Sequence, residues 1–210
     1  MVLGYADSMR WELPDDGIVE LVEDFVPASD SAELFRALCD AIPFESKTIR
    51  ILGREIVSPR LSAWVGDPGA VYRYSGTHNL PQPWPESLAA LRVQVAQRCA
   101  APFNSVLCNL YRDGADSMGM HSDSERELGR NPVIASVSLG AVRRFQLRHR
   151  KQRDAKLDLD LPPGSLLIMR GALQHHYRHG VPKQPAIRAA RLNLTFRYIE
   201  VANVVATRAG

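Results

Sequence analysis

The chain has 210 residues, 45% of them hydrophobic and 23% charged. That balance belongs to a folded globular protein with a sizeable core and excludes a disordered tail, a fibrous repeat and a disulfide-stapled miniprotein. The formal net charge of +3 is too small to establish a nucleic-acid partner by itself, so the distribution of charge matters more than its sum.

No run of 18 apolar residues is available for a membrane span, and no membrane partner is expected. The first residues, MVLGYADSMRWELPDD, lack the basic and apolar regions of a secretory leader. Three cysteines, Cys39, Cys99 and Cys108, follow no CxxC spacing, which reads as reduced thiols and a cytoplasmic location. Residues 1–15 mix Gly, Asp and Pro and are expected to form a loosely ordered arm. Over 29–42, Leu34, Phe35, Leu38, Ala41 and Ile42 share the face of an amphipathic helix. Ser29 or Asp30 is its cap and Pro43 its stop. A second helix is predicted from about Pro85, near the first helical position, to Ala100, with Leu88, Leu91 and Val95 as its buried stripe.

After Pro102 the texture changes to short β-type runs. These are FNSVLCNLY (103–111), MGMHSD (118–123), VIASVSL (133–139), VRRFQLRH (142–149), KLDLDL (156–161), SLLIM (165–169), HHYRHGV (175–181) and RLNLTFRYI (191–199). Eight strands at this spacing predict a mainly β fold with flanking helices, a sandwich, jelly roll or barrel. The expected organisation is one continuous domain: the arm, then 16–102 as helices and hairpins packed on the outside, then 103–210 as the core.

Two features carry chemistry. His121 and Asp123 are two apart, so on a strand both side chains leave one face. An imidazole and a carboxylate so placed supply two corners of a two-His-one-carboxylate site for a non-haem iron, the third corner being open among His149, His175, His176 and His179. A surface histidine beside a turn aspartate has the same spacing. In RLNLTFR, Arg191, Asn193, Thr195 and Arg197 share the other kind of face, suited to a small dicarboxylate because guanidinium forks pair with carboxylates. Asn109 and Tyr111 likewise share a strand face just upstream of the metal pair.

These blocks in order, NLYRDGADSMGMHSD, IASVSLGAVRRFQLRHR, LPPGSLLIMRG, HHYRHGVP and RLNLTFR, resemble the AlkB family of Fe(II)/2-oxoglutarate dioxygenases over about residues 50–200. PRLSAWVGDPGAVYRYSG (59–76) resembles its DNA-repair branch. The resemblance implies a double-stranded β-helix, or jelly roll. It implies iron held by His121, Asp123 and His179, with 2-oxoglutarate and dioxygen as co-substrates. The 2-oxoglutarate contacts fall on Asn109, Tyr111, Arg191, Asn193 and Arg197, with Arg191 expected at the distal carboxylate and Arg197 nearer the iron. His175 and His176 are decoys on this alignment. The implied reaction is oxidative dealkylation of N-methylated bases such as 1-methyladenine and 3-methylcytosine in DNA, releasing formaldehyde, succinate and carbon dioxide.

A duplex base reaches such a site only when flipped out. RILGREIVSPR (50–60) stands where DNA-repair relatives carry a base-probing hairpin, so Ile51, Leu52, Gly53 and Arg60 become substrate-side candidates. The relatives that prefer duplex carry an aromatic at that tip. Ile51 and Leu52 can wedge a stack but not π-stack, which favours single-stranded DNA. Tyr72 and Tyr74 match positions that line the base pocket, and Glu125 matches an acidic residue that contacts the base amine. Ser124 departs from the acidic residue that can follow the metal aspartate in the family. The basic run 143–156, with Arg148 and Arg150 at its centre, is expected to track phosphates. The partner is therefore alkylated DNA, with RNA as the alternative, and the expected state is a monomer. A dioxygenase acting on other substrates and a catalytically silent jelly-roll binding module are the competing readings.

Overall fold

A computed structural model describes residues 8–51, 54–70, 72–74 and 77–200. All eight strands read from the second half are present: β7 (Ser105–Tyr111), β8 (Met118–His121), β9 (Ile134–Gly140), β10 (Arg143–His149), β11 (Lys156–Leu161), β12 (Leu166–Gly171), β13 (Tyr177–Val181) and β14 (Arg191–Arg197). They divide between two antiparallel sheets, with β12-β9-β14-β7 consecutive in one and β11-β10-β13-β8 forming the other. Four facing four is the double-stranded β-helix.

The first half of the chain contributes more to this sheet than expected. β1 (Met9–Leu13) and β2 (Gly17–Val22) extend the larger sheet beyond β12, and β3 (Glu45–Ile51) and β4 (Arg54–Gly66) extend it beyond β7. Residues 9–13 are thus a paired strand, Trp11 opposite Val19, and not a loose arm. The segment 16–102 supplies three strands of the eight-stranded sheet as well as covering it. β3 and β4 do form the anticipated hairpin, with Ile51 opposite Arg54; Leu52 and Gly53 at its tip lie outside the described residues. Tyr72 and Tyr74 stand on the short strand β5 (Tyr72–Tyr74), paired with β6 (Thr77–Asn79).

The helices α1 (Ala28–Ala41) and α2 (Glu86–Cys99) cover the outer face of the large sheet. Their caps differ from expectation. Pro27 and Pro85 are the N-cap residues and neither helix has a side-chain cap, while Ser29 bonds to the neighbouring Asp30 carboxylate. Ala41 is exposed, whereas Leu38 and Ile42 are buried. The stripe Leu88, Leu91 and Val95 is buried as predicted, with Cys99 continuing it.

This layering explains why β14 is buried at every position. Leu192, Leu194 and Phe196 meet the helices in one core. Arg191, Asn193, Thr195 and Arg197 turn inward, between the two sheets. Among the described residues no helix is long and apolar enough to cross a membrane.

Candidate metal and 2-oxo-acid site

His121 and His179 are direct cross-strand partners of β8 and β13, followed by a register shift, and their rings lie 4.4 Å apart. Asp123 completes the group: its Oδ1 is 3.7 Å from His121 Nε2 and its Oδ2 is 4.0 Å from His179 Nε2. The three ligand atoms lie within 4.8 Å of one another. The reason Asp123 is there is not the predicted strand alternation, because β8 ends at His121. A loop carries Asp123 inward, fixed by its N–H donating to Gln174 Oε1 at 3.0 Å and by its carboxylate meeting Arg197 Nη2 at 2.8 Å. Gln174 lies on a one-turn helix, α3 (Leu173–His176), whose last two residues, His175 and His176, fall where the sequence predicts a strand to begin.

The protonation states suit a cation. Burial would raise the Asp123 carboxyl, but Arg197 first, then His179 and His121, outweigh it and hold it at about 2. Burial, with His121 adding to it, pulls His179 down to about 3, so its imidazole is neutral. His121 Nδ1 is 2.9 Å from the Gly119 carbonyl; a proton on Nδ1 leaves Nε2 with its lone pair toward Asp123. Asp123 Oδ2 is buried with no hydrogen-bond partner. A shielded carboxylate with one oxygen near each of two imidazoles is a donor set that fits a divalent transition metal. Phe145 stacks on His179, ring centres 5.4 Å apart, and backs it from the side.

The decoys lie elsewhere. His175 Nε2 is held by the Arg130 carbonyl and Asn131. His176 joins Asp15 and His149 in a second group. There His149 Nδ1 accepts N–H bonds from Lys151 and Gln152, which places its proton on Nε2, donated to Asp15 at 2.8 Å. That nitrogen is committed to a hydrogen bond that clamps the β1–β2 turn to β10.

Beside the triad, Asn109, Tyr111, Asn193 and Thr195 line one cavity with Ser136, and Arg197 closes its metal end. Arg191 lies six residues from Arg197 on the same strand, against Tyr111. Its Nη2 donates to Ser138 at 2.8 Å and to Asn193 Oδ1 at 2.7 Å, while Nε and Nη1 are buried with no hydrogen-bond partner. Burial lowers this guanidinium to about 10, and the Tyr111 phenol offsets part of the effect. Unsatisfied donors on a buried cation fit an incoming carboxylate. Ser136 and Ser138 were missed in the sequence, although polar residues two apart in the apolar run VIASVSL signal one inward face.

Two substrate-side candidates are placed differently from expectation. Arg60 is 6% exposed and donates Nε to Asn109 Oδ1 at 2.8 Å; it supports the cavity wall and does not project toward solvent. The β10 part of the basic run is satisfied within the chain, whereas Arg150, Lys151, Arg153 and Lys156 beyond it are exposed. On β10, alternation buries Arg143 and His149, while Arg144 and Arg148 pair across to Asp160 and Asp158 of β11. Arg148 is thus already paired with a carboxylate. Arg150 is exposed and reaches Ser122, between the two ligands, at 2.8 Å. Glu125 is half-buried in the loop two residues past Asp123.

The comparisons agree with this geometry. Residues 19–197 match the 2OG-Fe(II) oxygenase superfamily. The chain is 38% identical over 188 residues to a Bos taurus protein named alpha-ketoglutarate-dependent dioxygenase alkB homolog 3, covering 85% of this chain and 65% of the relative. It is 36% identical over 181 residues to a Mus musculus DNA oxidative demethylase ALKBH2, covering 81% and 76% respectively. The solved structure of OsALKBH1 superposes with a TM-score of 0.64 at 17% identity, covering 91% of this chain and all of that one, which supports the fold. The chain belongs to the AlkB family of Fe(II)/2-oxoglutarate oxygenases. It spans just under two thirds of the length of the alkB homolog 3 relatives.

Proposed function

We propose that this chain is an Fe(II)/2-oxoglutarate-dependent demethylase of N-alkylated nucleobases in DNA, acting on 1-methyladenine and 3-methylcytosine lesions in the cytoplasm. The observation that carries the oxygenase reading is the pairing of two unsatisfied groups in one interior: Oδ2 of the Asp123 carboxylate that sits beside two histidines, and the two open nitrogens of Arg191. The names of the ALKBH2 relatives support DNA as substrate.

His121, Asp123 and His179 would hold the iron, and Arg191 with Tyr111 and Asn109 would receive 2-oxoglutarate. When bound, these groups together with dioxygen would supply the oxidising power: one oxygen atom enters succinate as 2-oxoglutarate loses carbon dioxide, and the other enters the N-methyl carbon, which leaves as formaldehyde. The residues of the chain orient and exclude. Arg197 fixes the Asp123 carboxylate, and Arg60 holds Asn109 Oδ1 so that its amide N–H2 remains free to donate. Leu107, Met118, Phe145, Met169 and Val181 line the cavity with apolar surface that keeps water from the reacting carbon. Arg150, at the rim beside Ser122, would meet a phosphate.

The test is stepwise. Anaerobic addition of Fe(II) and 2-oxoglutarate should give a weak visible charge-transfer band, absent from a silent binding module. Formaldehyde release across methylated oligonucleotides should then favour DNA, with single strands at least equal to duplex, and replacing Leu52 by Phe should shift the ratio toward duplex. Activity confined to RNA would replace the substrate assignment, and a clear duplex preference of the unaltered chain would defeat the aliphatic-tip argument.

A further inference from the structure

Arg143 is 1% exposed, as deeply buried as Arg191, and the site just described makes no use of it. Its donors are satisfied by neutral acceptors: Nε by Gln184 Oε1 at 3.2 Å, Nη1 by the Asp113 carbonyl at 2.9 Å, and Nη2 by the carbonyls of Asp116 and Pro182 at 2.7 and 2.9 Å. The carboxylates nearby are engaged elsewhere. That of Asp116 bridges to Arg112 at 2.9 and 3.0 Å, and that of Asp113 accepts the Ala115 N–H.

The guanidinium clasps two loops that also bond to each other, Gly114 N–H to the Ile187 carbonyl and Gln184 N–H to the Gly114 carbonyl, both at 2.8 Å. Only glycine fits at 114, since a Cβ there would come within 1.8 Å of the Gln184 carbonyl oxygen. An uncharged side chain would suffice to clasp carbonyls, and a buried cation without a bonded anion is costly. The position of the charge suggests why it is tolerated. The Arg143 and Arg191 Cζ atoms each lie 5.4 Å from the centre of the same Tyr111 ring. Tyr111 lines the cavity, so two desolvated positive charges stand behind this one aromatic wall, with no carboxylate bonded to either among the described residues.

We propose that Arg143 is a positioning residue that sets charge selectivity: with Arg191 it makes the distal end of the cavity dicationic, so that a 2-oxo dicarboxylate is favoured over a 2-oxo monocarboxylate of the same shape. Arg143 does not reach the ligand; it acts through its field and through the Tyr111 ring. The inference rests on the 2-oxoglutarate reading of the cavity.

The test uses full-length protein loaded with Co(II), which does not turn over, and calorimetric dissociation constants for two probes. These are 2-oxoglutarate and 2-oxovalerate, in which a methyl group replaces the distal carboxylate. Arg143→Gln should narrow the ratio of the two constants by about ten-fold, the scale of one interior charge–charge interaction. It should do so by weakening 2-oxoglutarate while leaving 2-oxovalerate within about two-fold. Arg143→Lys keeps the charge and should keep the ratio. Equal weakening of both acids by Gln would reduce Arg143 to a loop clasp and overturn the inference. Should the Gln variant fail to fold, the Lys variant decides alone, because a collapsed ratio with the charge retained is equally fatal. A wild-type protein that binds neither acid would overturn the cavity reading itself, whereas a wild-type preference unchanged in Arg143→Gln would overturn the inference alone.

Discussion

Arg197 Nη2 lies 2.8 Å from Asp123 Oδ1, with both side chains 3% exposed. The carboxylate that faces two histidines is thus held from behind by a buried guanidinium. Removing one member of such a pair leaves the other charge stranded, typically costing about 3–5 kcal/mol. Arg197→Leu should lower the urea-unfolding free energy of the metal-free protein by that order. Part of the loss should return on adding Co(II), because the metal supplies the missing positive charge. A variant as stable as the parent without metal would show that the pair is not holding the loop.

Each of His121→Ala, Asp123→Ala and His179→Ala should cut iron binding by about a hundred-fold or more, since a facial site needs all three corners. His175→Ala and His176→Ala should bind iron as the parent does. Equilibrium dialysis with metal analysis distinguishes the two groups, and retention by His179→Ala with loss in His176→Ala would move the third ligand.

The Gln174 side chain hydrogen-bonds to the Asp123 backbone N–H and the Met169 sulfur, at 3.0 and 3.7 Å. Orienting partners of this kind typically account for about 10–100-fold in metal affinity. Gln174→Ala should fall in that range, and 2-oxoglutarate affinity measured at saturating metal should stay near the parent value.

Buried thiols make the fold sensitive to alkali. Burial pushes Cys99 from its ordinary value of 9.0 up to about 11, and Cys108 further in the same direction. In the unfolded chain these thiols ionise near their ordinary value, while in the folded chain they keep their protons. The unfolded state therefore binds fewer protons above pH 9, and stability falls as pH rises. Each thiol adds about 1.4 kcal/mol per pH unit to that fall. Urea melts of Cys99→Ala should show a shallower loss between pH 9 and 11 than the parent, and an identical slope would refute the assignment.

At the rim, Arg150→Ala should weaken binding to any oligonucleotide alike and reduce the slope of log affinity against log salt by about 0.7–0.9, one phosphate contact. Arg148→Ala should change the slope less, because Asp158 already occupies that guanidinium. Equal effects from both would show that Asp158 does not keep Arg148 from phosphate.

The sequence read best where alternation alone decides structure. KLDLDL showed its two faces directly, and the inward polar face of RLNLTFR was visible as a face, although only the sheet above and the helices below reveal that both sides are buried. What was hidden depends on partners distant in the chain. Met9–Leu13 carries too weak a pattern to announce a strand and becomes one because Gly17–Val22 lies opposite. Strand periodicity aligns Asp123 with His121, yet the residue is positioned by Gln174, 51 residues away. The cluster of arginines after 142 looked like one patch because composition ignores alternation; the pleat sends Arg143 inward and hands Arg144 and Arg148 to aspartates that belong to the neighbouring strand.

β8 is the outermost strand of the four-stranded sheet, with two register pairs joining it to β13, one of them His121 opposite His179. An ion gripped by these two residues would act as a rivet at the rim of the barrel, and Asp123 would draw the following loop to the same point. Filling the site would therefore do more than equip it for chemistry. It would set how far this edge frays, and amide hydrogens of Met118–His121 would exchange at a pace governed by metal occupancy.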